Sequence, residues 1–319
     1  MAARDIEPGD YVHAHTMKLV DCERDPGFGL DVKPVAYVPD AERATFMGLV
    51  RADSWIGTRN LIGIRSSVNC SSSVIKNIAA YFTPERMYEF PNVDGVAAFA
   101  QTSGCGMSSP SEHFDVLRRT LAGYARHPNL AGVLIVGLGY ERNQVASLVD
   151  SQGLSTSKLM RIRVMQEVGG TRVTIEAGIA AVKEILTEAN SAKRQNVSAS
   201  HLKIGLECDG SDGFSAITAH PALGATTDIL VQHGGTAILS ETPEIHGVEY
   251  MLTRRTVTQE VGQKLIDLLT WWEHYTAQAT TRSSMAWLAT AIRPVAWPIF
   301  SKILRFIYER RYNTPSCGL

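Results

Sequence analysis

The chain has 319 residues, 45% of them hydrophobic and 20% charged, with a formal net charge of −1. That is ordinary globular composition, with apolar material for one large domain or two smaller ones. It lacks the basic runs interleaved with aromatics that mark nucleic-acid binders, and no uninterrupted apolar run is long enough to span a bilayer.

The opening residues, "MAARDIEPGDYVHAHTM", have no apolar core of the signal-peptide kind. Five cysteines in a chain of this size do not suggest a disulfide framework. A reduced, cytoplasmic protein is expected. Within residues 1–20 a strand-like piece, "DYVHAHTMKLV", follows a Pro-Gly turn, and the proline- and acid-containing stretch 21–46 reads as a linker. From residue 47 a rhythm begins. Apolar strands near 60–67, 95–100, 132–138, 160–165, 202–206 and 236–240 alternate with helical patterns near 71–82, 111–126, 170–190, 214–232 and 256–278. The alternation predicts an α/β fold with a mostly parallel sheet and helices on both faces, in Rossmann-like layers. The strands are apolar on both parities, as both-sided burial requires.

The strand ends differ from the strands. They read "SSVNCSSS", "QTSGCGMSSPSE", "VGLGYERNQ", "MQEVGGT", "LECDGSDG" and "SETPEIHG" in order. In open α/β sheets ligands bind beyond the carboxyl ends of the parallel strands. Glycines for close backbone approach, with Cys, Ser, Asn, Gln, Asp and Glu beside them, therefore predict a small-molecule site at one sheet edge. Each piece also has a plainer use. A Gly-rich loop makes a tight turn, Ser72 and Ser73 cap a helix, and Glu241 and Glu244 flank Pro243 at a helix entry. Cys70, Cys105 and Cys208 end three strands, a thiol set suited to a metal ion or an iron–sulfur cluster. His13 and His15 share one side of a strand and make half of a metal site, or two incidental groups on a solvated edge. A P-loop, a GxGxxG fingerprint and a GxSxG elbow are all absent from the sequence.

Longer runs carry a resemblance. "RADSWIGTRNLIGI", "SVNCSSSV", "TSGCGM", "LRRTLAGYARHPNLAGVLIVGLGYERNQ", "QEVGGTRVTIEAG", "GLECDGSDGFSAITAHPALG" and "HGGTAILSETPEIHGVEYMLTRR" resemble, in order over residues 47–280, the altronate/galactarate dehydratase family. The start, "DIEPGDYVHAHTM", resembles the last strand of that family's small N-terminal β domain. The resemblance implies a hydro-lyase of sugar acids that removes a proton α to a carboxylate and expels the C3 hydroxyl, giving a 2-keto-3-deoxy acid. It implies a divalent metal, iron as Fe2+ or in an iron–sulfur cluster, with Mn2+ the alternative, and His13, His15, Cys70, Cys105 and Cys208 as its candidate ligands. Glu141, Glu167, Asp212 and Glu241 become candidates for proton transfer, with Glu207 beside them in sequence position at a strand end. Asn69, Ser103, Asn143, Gln144 and Ser211 become candidates for holding the sugar acid. The expected partners are that small molecule and either a second copy of the chain or a complementing small subunit, as in the sulfolactate sulfo-lyase branch. A remnant that binds sugar acids without turnover is the alternative.

Departures from the family pattern matter too. Tyr140 stands where "GLGCE" has cysteine, Asp209 where "CGGSDG" has glycine, and Thr16 where "HAHN" has asparagine. Most of the small N-terminal domain and a large C-terminal portion of the family pattern are missing, so low or absent hydro-lyase activity is expected. The tail, residues 281–319, departs from the family altogether. With synonymous codons chosen freely, its shifted reading frames spell Gly-Asn-Lys-Ala-Gly-Gly-Leu-Ala and then further family-like text, so out-of-frame translation is the expected origin of the tail.

Overall fold

A computed structural model of the chain describes residues 27–32, 34–154, 159–207, 214, 218–245 and 249–279. They fall into two compact units, residues 42–202 forming one and the described parts of 1–41 and 203–319 the other.

The first unit runs β1 (Thr45–Val50), β2 (Ile56–Gly57), β3 (Leu61–Ser66), α1 (Ser72–Tyr81), α2 (Pro84–Met87), β4 (Gly95–Phe99), α3 (Glu112–Ala125), β5 (Leu130–Gly137), α4 (Val145–Ser151), β6 (Met160–Val164), α5 (Met165–Val168), α6 (Thr171–Ala189) and β7 (Gln195–Ser198). Four strands form a parallel sheet in the order β4-β3-β5-β6. Alternate residues of the central strands bury on opposite faces. Ile62, Ile64, Leu134 and Val136 pack with Val74, Ile75 and Ile78 of α1 and Ala181, Val182, Ile185 and Leu186 of α6. Val133 and Ile135 pack on the other face with Ala122 of α3 and Val145 and Val149 of α4. Burial on both faces explains the unbroken apolar runs of β3 and β5. The predicted α/β layering, with helices on both faces, is what the structure has.

This order fixes a particular place. The helix after β3 lies on one face and the helix after β5 on the other, while β3 and β5 are neighbours. The connections therefore leave these strands in opposite directions and open a crevice beyond their carboxyl ends, the usual ligand position in such sheets.

The second unit contains β8 (Lys203–Leu206), α7 (Ala219–Gln232), β9 (Thr236–Leu239), α8 (Tyr250–Thr253) and α9 (Gln259–Ala279). β8 and β9 pair in parallel, and Ile245 and Leu269 centre a small core with Tyr250, Met251, Leu252 and Leu265. Residues 27–41 are fastened to this unit. Gly29 N donates to Thr253 O at 3.1 Å, Val38 N to Gln232 O at 2.8 Å, and Arg254 pairs with Asp31 at 2.6 Å.

Three elements depart from the sequence-based reading. The predicted strand ends are divided between a four-stranded sheet and a separate two-stranded one. A third, antiparallel sheet, β2-β1-β7, was not anticipated, because β7 is the polar "QNVS" and gives no apolar signal. The seven-residue α4, two turns long, was also not anticipated. Among the described residues no helix is long and apolar enough to cross a membrane. The strand predicted within residues 1–20 and the tail 281–319 lie outside the described residues.

Candidate active site

Three loops of the first unit meet at the crevice, and their serines and amides hold them together. Ser66 and Ser67 end β3. Ser66 Oγ accepts from Gln101 N at 2.9 Å, and Ser72 Oγ donates to Gln101 O at 2.7 Å, so the loop after β4 is tied to the loop after β3. Asn69 N donates to Ser103 O at 3.0 Å and Gln101 Nε2 to the same oxygen at 2.8 Å. Ser72, read from sequence as a capping residue, ties loops instead. Ser71, at the N-cap of α1, makes no side-chain cap and donates to Val136 O at 2.7 Å. The loop after β6 joins through Gln166, whose Oε1 accepts from Tyr140 N at 2.8 Å and whose backbone N donates to Leu138 O at 3.1 Å. Gly139 makes that approach feasible. It sits at φ +115°, and an added Cβ would stand 2.5 Å from Gln166 Oε1.

At the centre is Glu141, only 7% exposed. Its Oε2 accepts from Ser67 Oγ at 2.8 Å across the crevice, and its Oε1 accepts from Leu138 N at 2.9 Å. Burial pushes its carboxyl above the usual carboxylate range, while hydrogen bonds from Ser67 and from the Leu138 and Gly139 backbone pull partly the other way. The rise means that desolvation of the charged form wins.

Above this carboxyl the wall turns to thiols. Cys70 and Cys105 are both free and exposed. Desolvation raises the Cys70 thiol first, then hydrogen bonding and like charge from Cys105, with a smaller push from the Glu141 carboxylate; its own backbone opposes them. Cys70, Cys105 and Cys208 were predicted from their strand-end positions to share a site; Cys70 and Cys105 lie on the loops after β3 and β4, and Cys208 is outside the described residues. The chemistry of Cys70 and Cys105 suits a thiophilic metal, since both are free, exposed, soft donors. Among the described residues, however, no group of three or more His, Cys, Asp or Glu is placed to hold a metal ion.

The remaining predicted residues divide by place. Asn69, Ser103 and Gln144 are exposed on the three loops, and Glu167 is exposed on α5 next to Gln166. Asn143 is fully buried. Tyr140 is 85% exposed. Glu207 and Glu241 follow β8 and β9 in the other unit, and Glu241 adopts the left-handed region at φ 59°. His13, His15, Cys208, Ser211 and Asp212 lie outside the described residues, as do Thr16 and Asp209. Ser67, Gln101 and Gln166 were not singled out from sequence. Each lies in a strand-end string that was, but nothing in a lone chain separates a serine that grips a carboxyl from its neighbours.

Electrostatics at the edge favour anions. The N-terminus of the nineteen-residue α6 opens there behind Gly170, which has no side chain to cap it, whereas α1 continues from a 3-10 turn, Asn69–Ser71, and Ser72 N donates to Asn69 O. Gly169 and Gly170, at φ 108° and 103°, lead into α6 with open space where a Cβ would be.

Comparison with known proteins follows the same residues. Residues 48–190 match the family described as D-galactarate dehydratase/altronate hydrolase, second domain, and residues 199–287 match D-galactarate/altronate dehydratase, C-terminal. Altronate dehydratase of Bacillus subtilis is 34% identical over 281 residues, covering 86% of this chain and 54% of the relative. Galactarate dehydratase (L-threo-forming) of Escherichia coli is 31% identical over 289 residues, covering 89% and 55%. The (2R)-sulfolactate sulfo-lyase subunit beta of Chromohalobacter salexigens is 24% identical over 220 residues, covering 69% and 52%.

Proposed function

The chain belongs to the D-galactarate/altronate dehydratase family and spans about half the length of the curated relatives it matches, and from this we propose that its crevice is part of a sugar-acid hydro-lyase site. The observation that carries the proposal is the Ser67–Glu141 pair, bonded at 2.8 Å across the point where the strand connections diverge, beside Cys70 and Cys105. A sugar acid brings one or two carboxylates, which the N-terminus of α6 attracts. Asn69, Ser103 and Gln144, exposed on the surrounding loops, bind its hydroxyls.

The reaction class removes the C2 proton and loses the C3 hydroxyl as water. Glu167, exposed beside the crevice, accepts the C2 proton. Glu141, its carboxyl raised by burial, serves as proton donor to the departing hydroxyl. Ser67 can serve both protonation states of Glu141. Its hydroxyl donates to the carboxylate, or turns to Val136 O at 3.4 Å and accepts from the neutral acid. Cys70 and Cys105 are the described residues that would hold a divalent metal, iron or alternatively manganese, and such an ion would supply positive charge where negative charge develops on the substrate carboxyl.

A relative named as a subunit favours a second element, a partner chain that completes the site. The chain alone is then expected to bind altronate or galactarate but to turn them over slowly. Calorimetric titration with each acid, and anaerobic assay for 2-keto-3-deoxy product with ferrous iron, test this. No binding at millimolar acid sinks the sugar-acid reading. Turnover at an ordinary enzymatic rate, on the order of 1–10³ per second, sinks the need for a partner.

The thiol pair has its own check. Cobalt(II) added anaerobically is expected to give a thiolate-to-metal charge-transfer band that Cys70→Ser and Cys105→Ser each remove. A band that survives both substitutions places the metal elsewhere.

A further inference from the structure

The geometry points to Arg118 and Asn143 as positioning residues that set the Glu141 carboxyl from behind, with Asn143 part of the wall rather than a contact to substrate. The inference rests on the reading of Glu141 as a proton-transfer group. Asn143, two residues beyond Glu141, is 0% exposed, and both ends of its amide are engaged inward. Its Oδ1 accepts from Arg118 Nε at 3.1 Å, and its Nδ2 donates to Ser67 O at 3.4 Å. Ser67, also 0% exposed, then donates its hydroxyl to Glu141 Oε2 at 2.8 Å. An unbroken run of polar contacts thus leads from α3 to the buried carboxyl.

Arg118 suits the rear of that run. Its Nη1 donates to Ser151 Oγ at 3.2 Å and its Nη2 to Ser147 Oγ at 3.0 Å, while its guanidinium lies 4.4 Å from the centre of the Phe114 ring. One planar fork therefore fixes α4 and the loop before it together, which a single ammonium cannot reproduce. Loosening the fork frees Asn143, leaves Ser67 O with Gln101 Nε2 at 3.4 Å as its side-chain donor, and so loosens the Ser67 hydroxyl bond that favours the ionised form of Glu141. Its titration midpoint must then rise. Few other charges bear on that midpoint. Cys70 is the titratable neighbour on the α1 side, and Arg142 is exposed and donates to Ser109 O at 2.9 Å.

The test labels glutamate side chains with ¹³C in the full chain, assigns Glu141 with Glu141→Gln, and follows its carboxyl midpoint by NMR without substrate. Ser67→Ala is expected to raise the midpoint by about one pH unit, the loss of one hydrogen bond to a charge. Arg118→Ala is expected to raise it by about half a unit, since the Ser67 bond is loosened rather than removed. Arg118→Lys keeps the charge and most of the stem, and is expected to raise the midpoint similarly. It also carries the test should Arg118→Ala not fold. A midpoint in either Arg118 variant that coincides with the unsubstituted chain overturns the proposal, because a purely structural arginine would leave it unmoved. Failure to bind or turn over sugar acids would sink the functional reading instead, and would leave these midpoints where they are.

Discussion

Leu134→Ala is expected to destabilise the first unit by roughly 2–5 kcal/mol, more than any surface substitution in it. Leu134 is 0% exposed at the middle of β5, paired with Ile64 on β3 and Arg161 on β6. It packs in the cluster that joins the sheet to α1 and α6. Those helices are themselves close-fitted. A Cβ added at Gly178 of α6 would stand 2.4 Å from Ile78 Cδ1 of α1 and 3.5 Å from Leu134 Cδ2. Neither helix can therefore move in to fill the space that alanine leaves, and the cavity cost adds to the lost burial. Urea denaturation should show a lower midpoint with an unchanged slope. Val116→Ala, on the exposed side of α3 at 45% exposure, is the control and should stay within about 0.5 kcal/mol. A cost for Leu134→Ala below about 1 kcal/mol would mean that the core collapses more freely than its packing indicates.

How much of this was legible in the sequence depended on the period of the signal. β3 and β5, "LIGIRS" and "LAGVLIVG", announce themselves because both faces are buried and every position is apolar or small, apart from Arg65 and Ser66. The long α6 does so by its repeating apolar face. β7 could not be found this way. It is held by pairing with β1, Thr45 opposite Ser198 through Gly48 opposite Gln195, and such backbone pairing leaves little side-chain trace. The candidate site was placed at the strand ends by the same signal, since polar loops end apolar runs. What was not legible was strand order, which alone says that the loops after β3 and β5 face each other. Strand-end position grouped Cys70, Cys105 and Cys208, of which Cys208 lies outside the described residues. It also proposed Asn143 as a substrate contact, whereas the structure turns that amide inward toward Arg118 and Ser67. Residue type and loop membership are visible in a sequence, but the direction of a side chain depends on neighbours far along the chain.

Glu141→Gln is expected to cut formation of 2-keto-3-deoxy acid by about 10²–10⁴-fold, the usual contribution of a placed proton donor, read as product accumulated over hours. The amide is close in shape to the neutral acid. Its oxygen can accept from Leu138 N as Oε1 does, and its nitrogen can donate to Ser67 once that hydroxyl turns to Val136 O. The variant should therefore fold and still bind sugar acids, so that the loss falls on the chemical step. Stability supplies a second, independent readout. Because burial raises this carboxyl above its unfolded value of about 4.3, the folded chain holds the proton more tightly than the unfolded chain does. The associated stability is fully present below the unfolded value and is lost as the pH climbs through the folded one. Glu141→Gln carries no such loss, so its urea midpoint should gain on that of the unsubstituted chain over this window. A difference between the two that stays constant with pH would show that Glu141 is not raised. Undiminished product from the variant would move the proton donor to another residue.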